Sequence, residues 1–535
     1  MNKKKSLIFL TFLAILPSLT SCLFVRGLLS SSSSSAAAVS NLPGNYASPS
    51  YTSDFKTANL TRKNVGLSLG QRYLPSTGNS KILVVPVQLS DYPFTTTKLN
   101  RLQNTFFGTA DETGWQSVSS FYQASSYGKL SLSGTVTSPV KFSYTSTEME
   151  SMATSYSKQN KGNYSDVVLA SALKALSDNG SDFSSYDSDS DGYIDAIWLV
   201  YSCPFNSNSD FYWAYTTWAD NSTLYGNKNI CLYSWASVDF LTEQSYGLLT
   251  SDKNGDAHTF VHETGHMLGL DDYYSYDCDN KTNFDTPVGG VDMMDFNIGD
   301  HDSYSKYLLD WITPTVITPE YLAANGNTLT LTSLTESGKA FLLPSYKNGS
   351  TQFNGTAFDE YLLIEYYTPT ELNEADSLVA YGTNGLKEYT KPGVLVYHVD
   401  ASVGKLLPDS KGNVYWDGAI YDKLPTYDDS TWGKYFAYYY IYSNTASYSY
   451  DTSFSDAASP FYRGRLISLL PATGMKIMGR KTGYSTNNSL YTTGSVFGSK
   501  GVYSSFIFED GTVPEYGFEV TSTSSSDCQL TFSAF

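Results

Sequence analysis

The chain has 535 residues, more than one hydrophobic core normally serves, so two or more domains are expected. Its net charge of -18 excludes a nucleic-acid partner held by a basic surface and is compatible with calcium sites. An apolar fraction of 41% is ordinary for a soluble protein, but 45 tyrosines beside 28 phenylalanines favour β-rich, exported material over a helical bundle.

The chain opens with a basic stretch, Asn2 to Lys5, and a short apolar run, Leu7 to Leu16. That run is too short to span a bilayer comfortably and reads as a secretory signal over residues 1–21. It ends in Leu19-Thr20-Ser21-Cys22, which resembles a bacterial lipobox. The resemblance implies cleavage before Cys22, lipidation of that residue, and a protein anchored outside the cytoplasmic membrane by lipid alone. Residues 22–45, with Ser30 to Ser35 and Ala36 to Ala38, read as a flexible tether. Residues 46–80 read as a lead-in or propeptide-like segment.

Order is expected from Lys81 to Leu89, a β-branched run fit for a central strand. Helices are expected over Leu99–Phe107 and Ser117–Gly128, a strand over Lys129–Val136, and a helix over Asp166–Leu176. The loop Asp187-Ser188-Asp189-Ser190-Asp191-Gly192-Tyr193-Ile194-Asp195 places alternate aspartates beside a glycine that allows a sharp turn. Oxygen ligands in that number suit calcium, with Asp187, Asp189, Asp191 and Asp195 giving carboxylates and Tyr193 its backbone carbonyl. A solvated acidic turn is the plainer reading. Trp198 stands where an EF-hand needs glutamate, so this is a shorter loop. Ala196–Tyr201 follows as a buried strand. Phe211–Trp218 and Ile230–Trp235 read as core or cleft strands, and residues 236–257 as a loop and strand. A Cys203–Cys231 bridge is plausible outside the cell, and free thiols are equally compatible with Cys203, Cys231, Cys278 and Cys528.

Thr259 to Tyr274 then has the form H-E-x-x-H-x-x-G-x-x-D. On a helix, His262 and His266 lie one turn apart on one face and can reach one metal ion. Glu263 projects beside them, where a carboxylate can take a proton from a metal-activated water. Zinc suits imidazole and carboxylate donors with one open position. Gly269 allows a left-handed turn that ends the helix. That turn brings Asp272 back as third ligand; Asp271 is its neighbouring candidate.

These residues resemble the metzincin metalloproteases, and within them the immune-inhibitor-A-like secreted bacterial peptidases. Asp272-Tyr273-Tyr274, SVSSFYQASSYGKLSLSGTV, SKYLLDW, DEYLLIEYY and GVLVYHVD carry the resemblance, in scattered blocks over roughly residues 80 to 400. It implies a methionine turn beneath the metal, with Met294 as the counterpart in Val291 to Asp295. It also implies a tyrosine that steadies the oxyanion, with Tyr304 and Tyr307 both open. The expected fold class is an α+β metzincin-like catalytic domain over 81–315, a mixed twisted sheet plus the active-site helix. A mainly-β, sandwich-like domain is expected over 316–535. The expected function is a zinc endopeptidase acting on proteins or peptides outside the cell. The alternative is a surface adhesin or glycan-binding lipoprotein that keeps a metalloprotease fold.

Overall fold

The computed structural model describes residues 60–68, 71–158, 164–205, 211–219, 228–242, 255–274, 286–379, 389–402, 404–408, 414–420, 438–440, 443–445, 465–474, 478, 483–508 and 511–535. The signal, Cys22, the tether, Cys278 and the aspartates 277, 279 and 285 lie outside them.

The first sheet contains β1 (Gly78–Gln88), β2 (Leu130–Val136), β3 (Ile197–Tyr201), β4 (Tyr215–Trp218) and β5 (Leu232–Ser237), in the order β2-β1-β3-β5-β4. All pairings along it are parallel except β4, an antiparallel edge strand on β5. Parallel strands are covered on both faces, which explains the unbroken apolar run of β1. Leu83, Val85, Ile197 and Leu199 face Val168, Leu169, Ala172 and Leu173 in one core layer. Ile82, Val84, Trp198 and Val200 face the opposite layer with Phe106, Phe121, Phe260 and Met267. The chain is thus a mixed α and β structure with several sheets.

Helix α1 (Arg62–Ser68) precedes the sheet, and Leu60, Val65 and Leu74 are buried in the same core. Packing therefore reaches back before Lys81, into the segment read as a lead-in. Helix α2 (Thr96–Phe107) starts three residues earlier than expected, because the Thr95 side chain accepts from the Lys98 N–H and caps it. Helix α3 (Val118–Ser125) is followed by α4 (Ser146–Lys158), which the polar sequence did not signal, and by α5 (Tyr164–Asp178). Cys203, Cys231 and Cys528 are free and buried, so of the two open readings the structure has free thiols rather than a Cys203–Cys231 bridge. After β5 comes a 3-10 turn, Val238–Leu241, within the stretch read as a loop and strand, most of which lies outside the described residues.

Helix α6 (His258–Met267) carries the two histidines, and α7 (Ser303–Leu308) closes the first half. Beyond it come β6 (Thr328–Thr332), β7 (Ala340–Lys347), β8 (Glu360–Tyr367), β9 (Gly393–Asp400), β10 (Ile467–Leu469), β11 (Tyr516–Thr523) and β12 (Asp527–Ala534). The strands β7-β8-β9-β10 form an antiparallel sheet. Alternate residues Tyr361, Leu363, Leu395 and Tyr397 join the core beneath α6. Leu362, Ile364, Val394 and Val396 pack instead with Phe518, Leu530 and Phe532 of the β6-β12-β11 sheet. The middle sheet is buried on both faces, and one core runs across the boundary expected at 315/316. Ser504–Phe508 is a turn followed by irregular chain. Its Phe506 and Phe508 rings pack on His398, and the His398 Nε2 lies 2.9 Å from Glu360 Oε1.

The joint between the halves is polar. Lys306 is fully buried, with its Nζ 2.8 Å from Asp300 Oδ2 and donating to Ser125 O at 2.6 Å. Ser303 N–H donates to Glu365 Oε2 at 2.7 Å, and Asp302 N–H to Asp292 Oδ2 at 2.8 Å. Asp292, Asp300, His301, Asp302 and Glu365 line a cavity of about 20 Å³, room for one water molecule. Burial, then the charge of Asp302, pushes Glu365 up to about 8, and burial pushes Asp302 up to about 6. Both folded pKa values exceed the unfolded values of roughly 4. The folded state therefore binds more protons than the unfolded chain above that pH, and stability is lost as pH rises through about 6 to 8. Glu365→Gln should remove part of that loss, so its thermal midpoint should gain on the wild type between pH 5 and pH 9. Parallel melting curves across that range would show that Glu365 does not titrate in this way.

Candidate metal centre

The site is assembled on α6 by packing from the sheet side. Phe260 lies against Trp198, with ring centroids 5.1 Å apart, and Trp198 Nε1 donates to Thr264 Oγ1 at 3.4 Å. Asp256 Oδ1 accepts the His258 N–H at 2.9 Å and covers the first turn. His262, Glu263 and His266 come together at the edge of the sheet, with ligand atoms all within 4.8 Å of one another.

The helix ends at Met267, and Gly269 takes φ +92. This left-handed conformation reverses the chain within three residues and carries Asp272 back over the helix. Asp272 is 1% exposed. Its Oδ1 lies 2.9 Å from His262 Nε2 and 3.3 Å from His266 Nε2. Asp271 points elsewhere, its carboxylate accepting from Ser443 Oγ. Burial pushes Asp271 up to about 6.

Each imidazole is fixed from behind. His262 Nδ1 lies 2.8 Å from Met293 O and His266 Nδ1 lies 2.9 Å from Leu270 O. A carbonyl oxygen only accepts, so both Nδ1 atoms carry the proton. In the neutral rings both Nε2 atoms are then acceptors, and they converge with Asp272 Oδ1. Three lone-pair donors at one point fit a cation. Two imidazoles and a carboxylate, with each imidazole backed by a carbonyl, are the donor set and the support of a zinc site. Without a cation the repulsion is relieved by protons. Burial lowers the pKa of His266, but the charge and hydrogen bond of Asp272 outweigh it and raise it to about 10. Asp272 is held well below the usual carboxylate range by His266 and His262, against the pull of burial.

Beneath the helix runs the loop Val291 to Asp295. Asp292 Oδ1 accepts the Met294 N–H at 2.6 Å, and Met294 O accepts the Tyr273 N–H at 2.8 Å. Met293 and Met294 are both fully buried. They divide the work: Met293 supplies the carbonyl for His262, and the Met294 thioether lies against the helix at Gly265. A Cβ at Gly265 would sit 2.6 Å from Met294 Sδ, so any side chain at this motif position requires the thioether to shift.

Glu263 is 6% exposed. Its Oε2 accepts from Thr216 Oγ1 at 2.8 Å, and Thr216 Oγ1 lies 2.6 Å from Ser234 Oγ. Burial raises the Glu263 pKa, against the opposing pull of His266 and His262. Thr216 belongs to β4, so the edge strand positions the glutamate. No local pattern in the sequence marks Thr216.

Of the two tyrosines expected beside the metal, Tyr304 is buried in the core, its ring 6.4 Å from Tyr273, and burial with the charges of Asp302, Asp271 and Asp400 raises its pKa. Tyr307 reaches Gly355 O at 3.5 Å. Tyr274 is buried as well, and burial with the charges of Asp272, Glu263 and Asp295 raises its pKa well above the usual value. His258 supports the helix start, with Nε2 2.9 Å from Asn297 O, and burial lowers its pKa to about 3.

In the acidic loop, Asp187, Asp189 and Asp195 lie within 4.8 Å of one another. Each is nevertheless engaged by protein donors. Lys228 pairs with Asp187, Lys63 with Asp189 at 2.6 Å, and Ser188 N–H donates to Asp195 Oδ2 at 2.8 Å. Asp191 faces Arg72 at 3.6 Å, and the Arg72 guanidinium lies 4.0 Å from the centre of the Tyr193 ring. Among the described residues no helix is long and apolar enough to cross a membrane. Set against models of known protein families and against curated proteins, the chain has no match.

Gly269→Ala forces a Cβ into the left-handed region and within 3.1 Å of the Tyr73 ring. It should destabilise the fold by about 1–2 kcal/mol, measured by urea denaturation of the metal-free protein. Unchanged stability would mean that the turn is not held as described.

Proposed function

We propose that the chain is a zinc-dependent endopeptidase with a metzincin-like catalytic unit, acting on proteins or peptides outside the cytoplasm. The observation that carries this reading is the convergence of His262 Nε2, His266 Nε2 and Asp272 Oδ1, with Glu263 alongside. A mixed sheet with the histidine helix packed on one face, and a buried methionine under that helix, supports the fold assignment. The leader ending at Cys22 supports a lipid-anchored, extracytoplasmic location.

His262, His266 and Asp272 would hold the metal. When bound there, zinc supplies Lewis acidity toward the scissile carbonyl and a nucleophile from water at neutral pH. The chain's own residues do the proton work. Glu263 takes the proton of the attacking water and returns it to the leaving amine. Two features suit it to that task. Burial raises its proton affinity above that of an exposed glutamate. Thr216 Oγ1 holds Oε2 at 2.8 Å, so one carboxylate oxygen is anchored and the other is left for the reaction.

A structural calcium ion at Asp187, Asp189 and Asp195 is a separate proposal, supported by the 4.8 Å grouping of their carboxylates. Lys228 and Lys63 now neutralise two of them, so calcium there has to displace ammonium groups. The adhesin alternative accounts for a surface lipoprotein but gives no role to a buried glutamate held by a threonine.

Purified protein should hydrolyse casein, and a chelator should stop it. Glu263→Gln should keep zinc and fold while lowering kcat by roughly 10²–10⁴-fold. Full activity in that variant would sink the mechanism, and no hydrolysis by the wild type would favour the adhesin. Thr216→Val should retain zinc and lower kcat by roughly 10–100-fold. A fall in zinc content instead would show that Thr216 acts on the ligands rather than on Glu263.

A further inference from the structure

Asp272 sits in a short turn, and the residues on both sides of it are gripped by the second half of the chain. Asp271, before it, accepts from Ser443 Oγ. Tyr273, after it, offers its carbonyl to Asn444 Nδ2 at 3.0 Å. Ser443 and Asn444 are consecutive, so one dipeptide reaches back over 171 and 172 residues to bracket the aspartate.

Asn444 is fully buried and commits its whole side-chain amide to this joint. Nδ2 also donates to Ile467 O at 2.9 Å, and Oδ1 accepts the Ile467 N–H at 3.2 Å. Two carbonyls can only face the nitrogen, which fixes the orientation of the amide. Ile467 lies on β10, at the end of the middle sheet. On either side of it, Leu466 O accepts the Asp400 N–H at 2.9 Å and Leu470 N–H donates to Val396 O at 2.8 Å, both toward β9. The main-chain groups of Ile467 therefore face away from β9, and the Asn444 amide pairs with them as a further strand would. Arg465 Nη1 donates to Asn444 O at 2.5 Å and holds the main chain of the pair.

Tyr273 is tied three ways: its N–H to Met294 O at 2.8 Å, its hydroxyl to Ser305 Oγ at 2.6 Å, and its carbonyl to Asn444. The lower loop, α7 and the middle sheet thus each take one polar group of the residue next to the third ligand. We propose that Ser443 and Asn444 are positioning residues of the metal centre: they brace the residues flanking Asp272 and so keep its carboxylate beside His262 and His266. The assignment rests on the zinc reading given above. Both residues act through the turn, which makes the second half of the chain a determinant of metal affinity as well as of stability.

The test is metal affinity measured beside stability. Asn444→Ala removes the link from β10 to Tyr273, and Ser443→Ala removes the contact with Asp271. Zinc dissociation constants are measured by competition with a chromophoric chelator, alongside melting curves of the metal-free proteins. Asn444→Ala should raise the dissociation constant roughly 10–100-fold and Ser443→Ala roughly 10-fold. Cobalt loaded in place of zinc should show an altered visible absorption band in both. Tyr491→Phe is the control: it removes a hydrogen bond to Leu470 O, at 3.1 Å, elsewhere in the second half. It should lower the melting midpoint without moving zinc affinity. If both alanine variants bind zinc within twofold of the wild type with unaltered cobalt spectra, the positioning role is overturned, even if they melt earlier. The same holds if Asn444→Ala fails to fold and Ser443→Ala binds zinc as the wild type does. A shift in Tyr491→Phe as large as in Asn444→Ala would mean general loosening, and would overturn the role too. If the wild type binds no zinc that His262→Ala abolishes, the zinc reading is overturned and this inference goes with it.

Discussion

Everything at the metal centre depends on two hydrogen bonds that point away from it. His262 and His266 each commit Nδ1–H to a main-chain carbonyl, of Met293 and of Leu270. Those bonds fix the tautomer and the plane of each ring, and so aim both Nε2 lone pairs at Asp272. The carbonyls come from two different places. Leu270 is available because Gly269 turns the chain back immediately after the helix. Met293 is available because Asp292 holds the Met294 N–H and Met294 O holds the Tyr273 N–H. Helix, turn and lower loop are thus one hydrogen-bonded unit, and none of the three makes the site alone.

That unit is held in place by the rest of the fold. The first sheet supports α6 from one side through Trp198 and Phe260, and its edge strand β4 reaches Glu263 with Thr216. The middle sheet supports the lower loop from the other side. Asp292 accepts from both Met294 and Asp302, and Ser303, the next residue, donates to Glu365 on β8. A buried lysine, Lys306, ties the same region to α3 through Ser125. The cost is a concentration of buried carboxylates around Asp302, expressed as raised pKa values. The second half of the chain is therefore part of the foundation of the site, which explains why β8 and β9 are apolar on both faces.

Local patterns in the sequence carried a large part of this arrangement. The spacing of His262, Glu263, His266, Gly269 and Asp272 is a statement about one helix and one turn, and residues so close in sequence meet whatever the remainder does. Strands β1, β8 and β9 were legible because burial on both faces leaves a continuous apolar run. Helix α4 was not, since STEMESMATSYSK is polar apart from a thin stripe of Met149, Met152, Ala153 and Tyr156, and it docks on α5. What escaped entirely was pairing across long separations. Thr216 meets Glu263 over 47 residues, and Lys63 meets Asp189 over 126. For Tyr304 and Tyr307 the resemblance supplies no spacing that fixes a position; on α7 one side chain is buried in the core and the other reaches toward Gly355.

Charge balance is consistent with an aspartate as third ligand under the proposed reading. Asp272 and Glu263 are both buried, and burying two carboxylates without compensation is costly. In the metal-free chain protons supply the compensation, as the raised pKa of His266 and the raised pKa of Glu263 indicate. A divalent cation at the convergence point balances the two carboxylates while leaving the imidazoles neutral, the state their Nδ1 bonds select. A third neutral histidine would leave such a centre with net positive charge when Glu263 is its only carboxylate. With Asp272 in that place, a divalent cation and two neutral imidazoles would leave a single positive charge, which the ionised Glu263 would balance. Under the proposed reading the carboxylate ligand would weaken the Lewis acid somewhat, and it would halve the positive charge against which Glu263 has to take up a proton.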